Sequence, residues 1–332
     1  MKTIQLGKQG LEVSVLGMGC MGMTTGFGQA KEPFEMIKVI QEGYCKGIRF
    51  FDTAQSYQAV QENGDVLYNE SLLGEALKDY PRDSYVLASK CGIIQRDGKQ
   101  VYDASKEVIF EAIEETLERL QTDYLDLYFL HRVDNNTPIE TVATTMQELM
   151  DLGKIKYWGM SEAPIELVER AHKVCPLSVV ENEYSLLCRE VEGSGYKQRL
   201  EQLGIGFVAY APLGKAFLTG KLDFYQEFTS DDPRSRQPRF DPRIMEENRK
   251  LIEYIQMLAS KKGKTAAQIA LAWLMHQEQV VPIPGMRKIE RIEENIGASD
   301  IELTKQELLC IRQSIDEMEL YTLRFDPNFQ RK

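Results

Sequence analysis

Strand-length apolar runs alternate with helix-length amphipathic segments along most of this chain, and that alternation leaves few architectures open. The runs at 15–18, 49–52, 85–90, 125–131, 155–161, 178–182, 206–211 and 280–284 read as strands. They are apolar almost throughout, as strands must be when both faces of their sheet are covered. Segments at 32–46, 69–77, 106–120, 139–152, 165–173, 196–203, 246–262 and 266–276 carry helical periodicity. Eight strands separated by helical sequence, with no low-complexity linker or shift in composition, predict an α/β fold: a closed (β/α)8 TIM barrel, one domain over residues 1–332. Ahead of it, Thr3–Leu6 and residues 11–13 alternate apolar and polar residues about a turn containing Gly7 and Gly10, the pattern of an N-terminal β-hairpin. The connection 213–243, with Pro233, Arg234, Ser235, Arg236 and Pro238, is too long for a turn and too polar for core. It is expected to be a long loop on the C-terminal face, where barrels carry functional lids.

Polar residues close three successive strands: Asp52, Lys90 and His131, with Tyr57 shortly after the first. Any one of them could be a cap or half of an ion pair, but in a parallel barrel the C-terminal strand ends converge, so the set is a candidate site. It can hand a proton to a carbonyl oxygen, as nicotinamide-dependent reduction requires. Tyr57 is the candidate proton donor. A free phenol titrates at about 10, and a neighbouring ammonium, Lys90, is expected to lower that value. Asp52 would hold Lys90 in place and keep it protonated, while His131 would hydrogen-bond the substrate oxygen and polarise the carbonyl.

Other features narrow the field. A net charge of −11 argues against a nucleic-acid or anionic-membrane partner, so an anionic ligand must meet a local basic cluster. The segment Met1 to Lys8 has no apolar continuation of signal type and no apolar run is long enough to span a membrane, which makes the cytoplasm the expected location. Cys20, Cys45, Cys91, Cys175, Cys188 and Cys310 form no C-x-x-C pair and read as free thiols. His131, His172 and His276 lack metal-ligand spacing, and no metal is expected. Gly17-Met18-Gly19-Cys20-Met21-Gly22 spells a dinucleotide fingerprint, but loop sequence follows it until about Pro33 where a helix should open at once. It reads instead as a flexible first loop beside the site.

Several motifs together carry a family resemblance. They are Asp52-Thr53-Ala54 with Tyr57, Ser89-Lys90, Leu130-His131-Arg132-Val133-Asp134, Gly159-Met160-Ser161-Glu162, Glu181-Asn182-Glu183-Tyr184-Ser185, Ala209-Tyr210-Ala211-Pro212-Leu213-Gly214, and Pro282-Ile283-Pro284-Gly285 through Glu294-Asn295. With them the chain resembles the aldo-keto reductases from the hairpin to beyond strand eight. The resemblance implies reduction of a small-molecule carbonyl substrate with NADPH/NADP as cofactor and no separate Rossmann domain. Carried over by position, it implies that Tyr210 stacks on the nicotinamide and that Ser161 and Glu181 meet its carboxamide. Leu213 and Gly214 would meet the pyrophosphate through their backbone, with Gly285 also among the cofactor contacts. Arg287, Lys288 and Arg291 would surround the 2′-phosphate, with Glu294 and Asn295 near the adenine. Three cations in one short segment of an acidic chain also suit a phosphate without that help. The plainer reading is a solvated helix face interleaved with Glu290, Glu293 and Glu294.

Three departures from the family pattern bear on function. Glu181 stands where many members have Gln, and a carboxylate there accepts hydrogen bonds only and favours the cationic oxidised cofactor. Met286 stands where Ser or Thr is common, and the segment 58–65 is long for the family and would reshape the substrate mouth. Phe27, Cys91 and residues 321–329 are candidate pocket-lining groups by loop position. Two alternatives stay open: a nucleotide-sensing auxiliary subunit on the same barrel, and a physiological alcohol or sugar dehydrogenase. The sequence does not fix the oligomeric state, with a monomer favoured.

Overall fold

The computed structural model describes residues 1–230 and 232–326. Eight parallel strands form one sheet: β1 (Met18–Gly19), β2 (Phe50–Asp52), β3 (Val86–Cys91), β4 (Leu125–Leu130), β5 (Ile155–Ser161), β6 (Val179–Glu183), β7 (Gly206–Tyr210) and β8 (Val280–Ile283), in spatial order β8 to β1. The sheet closes on itself through Gly17 N to Pro282 O (3.0 Å), Gly19 N to Pro284 O (3.1 Å) and a parallel bridge between Gly19 and Gly285. This is the (β/α)8 barrel read from the alternation. The regular part of β1 is shorter than the expected 15–18 and displaced from it. The seam explains this: the N–H that should return to Gly17 O belongs to position 284, and Pro284 has none, so the β1–β8 ladder is interrupted there. Gly19 is needed there, since a Cβ would stand 2.7 Å from Ile283 O.

Side-chain alternation divides the strands into two surfaces. Phe50, Ala88, Leu127, Phe129, Val179, Val208, Val281 and Ile283 point inward and meet Leu6, Leu11 and Val13 of the N-terminal hairpin (Thr3–Leu6 with Leu11–Ser14). The hairpin therefore plugs the barrel with apolar side chains. The outward set, including Phe51, Leu87, Cys91, Tyr128, Leu130 and Val180, packs under the helices. These include α1 (Pro33–Cys45), α2 (Asn69–Leu77), α3 (Lys106–Leu120), α4 (Ile139–Asp151) and α5 (Ile165–Val174). Counting two residues on from the inward apolar positions gives Asp52, Lys90, His131, Glu181 and Tyr210. The same alternation that fills the barrel thus delivers a polar layer at its C-terminal mouth. Gly159 on β5 lets the wall close, because a Cβ there would lie 2.5 Å from Val179 O and 2.7 Å from the Phe129 ring.

The loops differ most from expectation. The segment 58–65 folds into a hairpin, Gln58–Val60 with Val66–Tyr68, and a second hairpin, Ile93–Arg96 with Lys99–Tyr102, follows β3. The second turns at Asp97 and Gly98, both left-handed, a strong hairpin signal in the sequence that the helix-strand alternation obscured. The connection 213–243 is not simply polar. Phe217, Leu218, Phe224 and Phe240 enter the core, and Arg239, 1% exposed, follows them. The helix expected over 246–262 is divided into Pro242–Glu247 and Arg249–Lys262 at the buried Asn248, whose amide holds the backbone of Tyr321 from both sides (2.8 and 3.0 Å). Beyond β8, helices Ile289–Ile296 and Lys305–Asp316 complete the described chain, the latter opened by a Thr304–Glu307 capping box. Among the described residues no helix is long and apolar enough to cross a membrane.

Candidate active site

Lys90 is the fixed point of the mouth. At 1% exposure its ammonium donates to Asp52 Oδ1 (2.7 Å), Asp52 Oδ2 (2.6 Å) and Thr53 O (2.9 Å). Its three protons are thereby committed. The elements behind it are locked as well. Thr53 donates to Asn69 Oδ1 (2.7 Å), and Asn69 donates to Cys20 O (2.9 Å). The buried Glu70 of α2 accepts from Ser89 (2.6 Å), Thr116 (2.9 Å) and Arg119 (3.1 Å), tying β3 to α2 and α3. Ser89 points out to this anchor while Lys90 points in, which gives the Ser89-Lys90 pair a physical reason.

Tyr57 and His131 stand above Lys90. Their rings meet edge to face with centroids 5.6 Å apart, and Lys90 Nζ is 5.3 Å from the Tyr57 centroid. Burial holds His131 well below its usual range, with Lys90 and Arg132 adding to the effect, so the imidazole is neutral at pH 7. Its Nδ1 is 3.3 Å from Ser56 Oγ. When the Ser56 hydroxyl donates to Nδ1, the proton on the other ring nitrogen is available to a substrate oxygen. Tyr57 departs from the sequence expectation. Burial raises its phenol above the ordinary value, and Asp52 and Glu181 oppose the downward pull of Lys90, so the net shift is upward. Tyr57 is a proton-loaded acid at rest, and Lys90 limits the cost of losing that proton rather than making the phenol acidic.

A charged wall adjoins these residues, most of it not read from the sequence. Tyr210 donates to Glu162 Oε1 (2.9 Å), and Arg324 reaches in from the C-terminal segment to Tyr210 Oη (2.7 Å) and Glu162 Oε2 (2.6 Å). Burial pushes the Glu162 carboxyl up, but the Arg324 bond and charge outweigh it and leave it below its usual range. The fully buried Arg239 donates to Glu183 Oε1 (2.6 Å). Arg132 donates to His131 O (2.6 Å) and Ser161 Oγ (3.0 Å). Arg132, Glu162 and Glu183 lie inside the motifs that identify the family, and Glu183 shares the inward phase of Glu181. Arg239 and Arg324 arrive from distant loops with no periodic signal.

The remaining assigned residues fall into groups. The turn after β7 holds Ala211, Gly214, Lys215 and Ala216 at positive φ around Leu213, closed by Gly214 N–H donating to Ala211 O (2.8 Å). Burial pulls Lys215 down to about 8. At helix Ile289–Ile296 a cavity of about 550 Å³ is lined by Lys221, Thr265, Gln268, Lys288, Glu290, Arg291 and Glu294. Glu294 pairs with Arg291 and Lys221. Arg287 turns toward the first loop, donating to Phe27 O (3.1 Å) with Arg234 stacked on the same ring. Asn295 is buried, and Gly285 is at the seam. Lys221, Lys288 and Arg291 suit an anionic phosphate, and the buried Glu181, whose Oε2 has no hydrogen-bond partner among the described residues, offers a polar group to a cofactor head. Cys91 does not line the pocket: one residue past Lys90 it points outward and donates to Phe129 O (3.5 Å). Of the segment 321–329, Tyr321 is held by Asn248 and Arg324 reaches the site, while 327–329 lie outside the described residues.

Comparison with known proteins accords with this arrangement. The sequence profile of the Aldo/keto reductase family matches residues 15–316. Over 314 residues the chain is 39% identical to Probable aldo-keto reductase 1 of Glycine max, spanning 94% of this chain and 88% of that one. Among solved structures, a glycerol dehydrogenase of Gluconobacter oxydans superposes with a TM-score of 0.84 at 25% identity, covering 99% of this chain and 98% of that one. An aldo-keto reductase of Bacillus halodurans in its holo form gives 0.76 at 26% identity, covering 97% and 98%.

Proposed function

Because the chain belongs to the aldo/keto reductase family, we propose that it reduces an aldehyde or ketone to the alcohol with NADPH, Tyr57 giving the proton. Carbonyl–alcohol oxidoreduction with a nicotinamide cofactor is the chemistry that membership carries. The finer reading is supported above all by the buried Asp52–Lys90 pair, bonded at 2.6 and 2.7 Å, with Lys90 Nζ 5.3 Å from the Tyr57 ring that meets His131 edge to face.

The bound cofactor supplies the hydride. Neutral His131 donates a hydrogen bond to the substrate oxygen and fixes its position. Tyr57 passes its proton to that oxygen as negative charge develops there, and Lys90 offsets the phenolate left behind. Asp52 keeps the ammonium charged and aimed. Ser161 and Glu181 would hold the carboxamide, Tyr210 would face the nicotinamide ring, and the left-handed turn around Leu213 and Gly214 would meet the pyrophosphate. Lys288 and Arg291, with Arg287 at the other wall, favour a 2′-phosphate and hence NADPH over NADH. Glu294 and the buried Asn295 stand on the adenine side. The free thiols fit a reducing compartment, in line with a cytoplasmic protein.

Oxidation of an alcohol or sugar is a second reading, favoured by the likeness to the glycerol dehydrogenase of Gluconobacter oxydans and by the carboxyl at Glu181. A steady-state screen of aldehydes, ketones, polyols and sugars, with reduced and oxidised NADP and NAD side by side, decides between them. Faster aldehyde or ketone reduction with NADPH supports the first reading. Turnover confined to alcohols supports the second, and nucleotide binding without turnover would leave only a sensing role.

A further inference from the structure

We propose that Glu181 is an un-ionised carboxylic acid at neutral pH in the cofactor-free protein, sharing its proton with Asp52, and that it releases this proton when an oxidised nicotinamide binds over it. The second half rests on the cofactor reading above; the first does not.

The geometry leaves an ionised Glu181 without support. It is 3% exposed, and the only ammonium beside it among the described residues, Lys90, stands 3.4 Å from Oε1 with all its protons already given to Asp52 and Thr53. The other oxygen, Oε2, has no hydrogen-bond partner among the described residues. Two buried carboxylates would then face one cation, and the cheaper arrangement places a proton on one of them. Asp52 is the one that stays ionised, because Lys90 binds both its oxygens. Burial and then the charge of Asp52 push Glu181 up to about 8.

The other groups facing Glu181 do not change this balance. Tyr57 and Cys20 are both held protonated, chiefly by burial. Ser161 on β5 and Val208 on β7, its register neighbours, are uncharged, and Arg132 beyond Ser161 bonds the Ser161 hydroxyl. Glu162 and Glu183 have their own guanidinium partners, Arg324 and Arg239. Asp52⁻, Lys90⁺ and Glu181–COOH therefore form a neutral cluster. An amide at this position would be neutral always, whereas Glu181 is neutral toward a reduced ring and can become anionic toward a cationic one. The balance is one proton: the carboxylic acid loses H⁺ to solvent as the cation arrives, with no redox change in the protein.

The test measures Kd for NADP⁺ and NADPH across about pH 5.5 to 9, in wild type and Glu181→Gln. The 2′-phosphate titrates in both nucleotides, so the ratio of the two Kd values cancels it. In wild type that ratio should move toward NADP⁺ by up to about tenfold per pH unit below about pH 8 and level off above it. In Glu181→Gln it should be flat. An infrared measurement on the cofactor-free protein adds an independent arm: an un-ionised carboxyl stretch at about pH 6.5 that disappears in Glu181→Gln. A pH-independent ratio in wild type, or a missing infrared band, would overturn the proposal. Failure to bind either nucleotide would overturn the cofactor reading instead, and the infrared band would still decide where the proton sits.

Discussion

Lys90→Met removes the cation around which the mouth is built while keeping the length of its apolar stem. Asp52, 3% exposed, then loses the partners of both its oxygens, at 2.7 and 2.6 Å, and Thr53 O loses its bond at 2.9 Å. Breaking a buried pair from one side leaves an uncompensated charge and costs about 3–5 kcal/mol. The pH dependence follows from sign. Burial already raises Asp52, and removing Lys90 takes away its chief opposition. In the variant the folded-state value lies well above the unfolded one of about 3.9, so the loss is full at neutral pH and shrinks as acidification protonates Asp52. Asp52→Asn combined with Lys90→Met removes both charges and should recover at least half of the loss. Urea unfolding of wild type, the single variant and the double variant at about pH 7 and pH 5 measures all of this. A Lys90→Met deficit under about 1 kcal/mol at pH 7, or one that grows on acidification relative to wild type, would refute the claim that Lys90 is the charge support of the site.

Gly159→Ala places a Cβ 2.5 Å from Val179 O and 2.7 Å from the Phe129 ring, so the protein should lose at least about 1–3 kcal/mol by urea unfolding. Lys288→Ala with Arg291→Ala should weaken NADPH binding roughly tenfold or more while leaving NADH nearly unchanged, as fluorescence titration would report. In Arg324→Met, Glu162 returns toward or above its ordinary range. A carboxyl held low contributes stability above the unfolded pKa and loses it as pH falls, so the variant should be about 1 kcal/mol weaker at pH 7 and converge on wild type below about pH 4 in denaturation curves.

The barrel and its polar mouth were legible because they rest on short-range chemistry. Buried parallel strands must be apolar and helices must be amphipathic, so the eight-fold alternation survives any detail of packing. Strand alternation then places Asp52, Lys90, His131, Glu181 and Tyr210 on one face, and it also predicts the outward turn of Cys91 that loop position alone missed. What stayed hidden depends on long-range meetings. Arg324 reaches Tyr210 across 114 positions, and Arg239 reaches Glu183 across 56. Asn248 divides a helix because its amide serves Tyr321, a residue 73 positions away. The acidity of Tyr57 was misread for a related reason. A neighbouring ammonium lowers a phenol, but the burial and the two carboxylates that outweigh it come from separate strands brought together only by the fold.

Single-turnover reduction of an aldehyde by NADPH in wild type and Tyr57→Phe tests the central assignment most directly, with cofactor affinity measured on the same samples. If Tyr57 gives the proton, Tyr57→Phe binds NADPH as wild type does and loses roughly 10²- to 10⁴-fold in the chemical step, about 3–5 kcal/mol of transition-state stabilisation. A variant that turns over within a few-fold of wild type would contradict the assignment and leave the proton to another group.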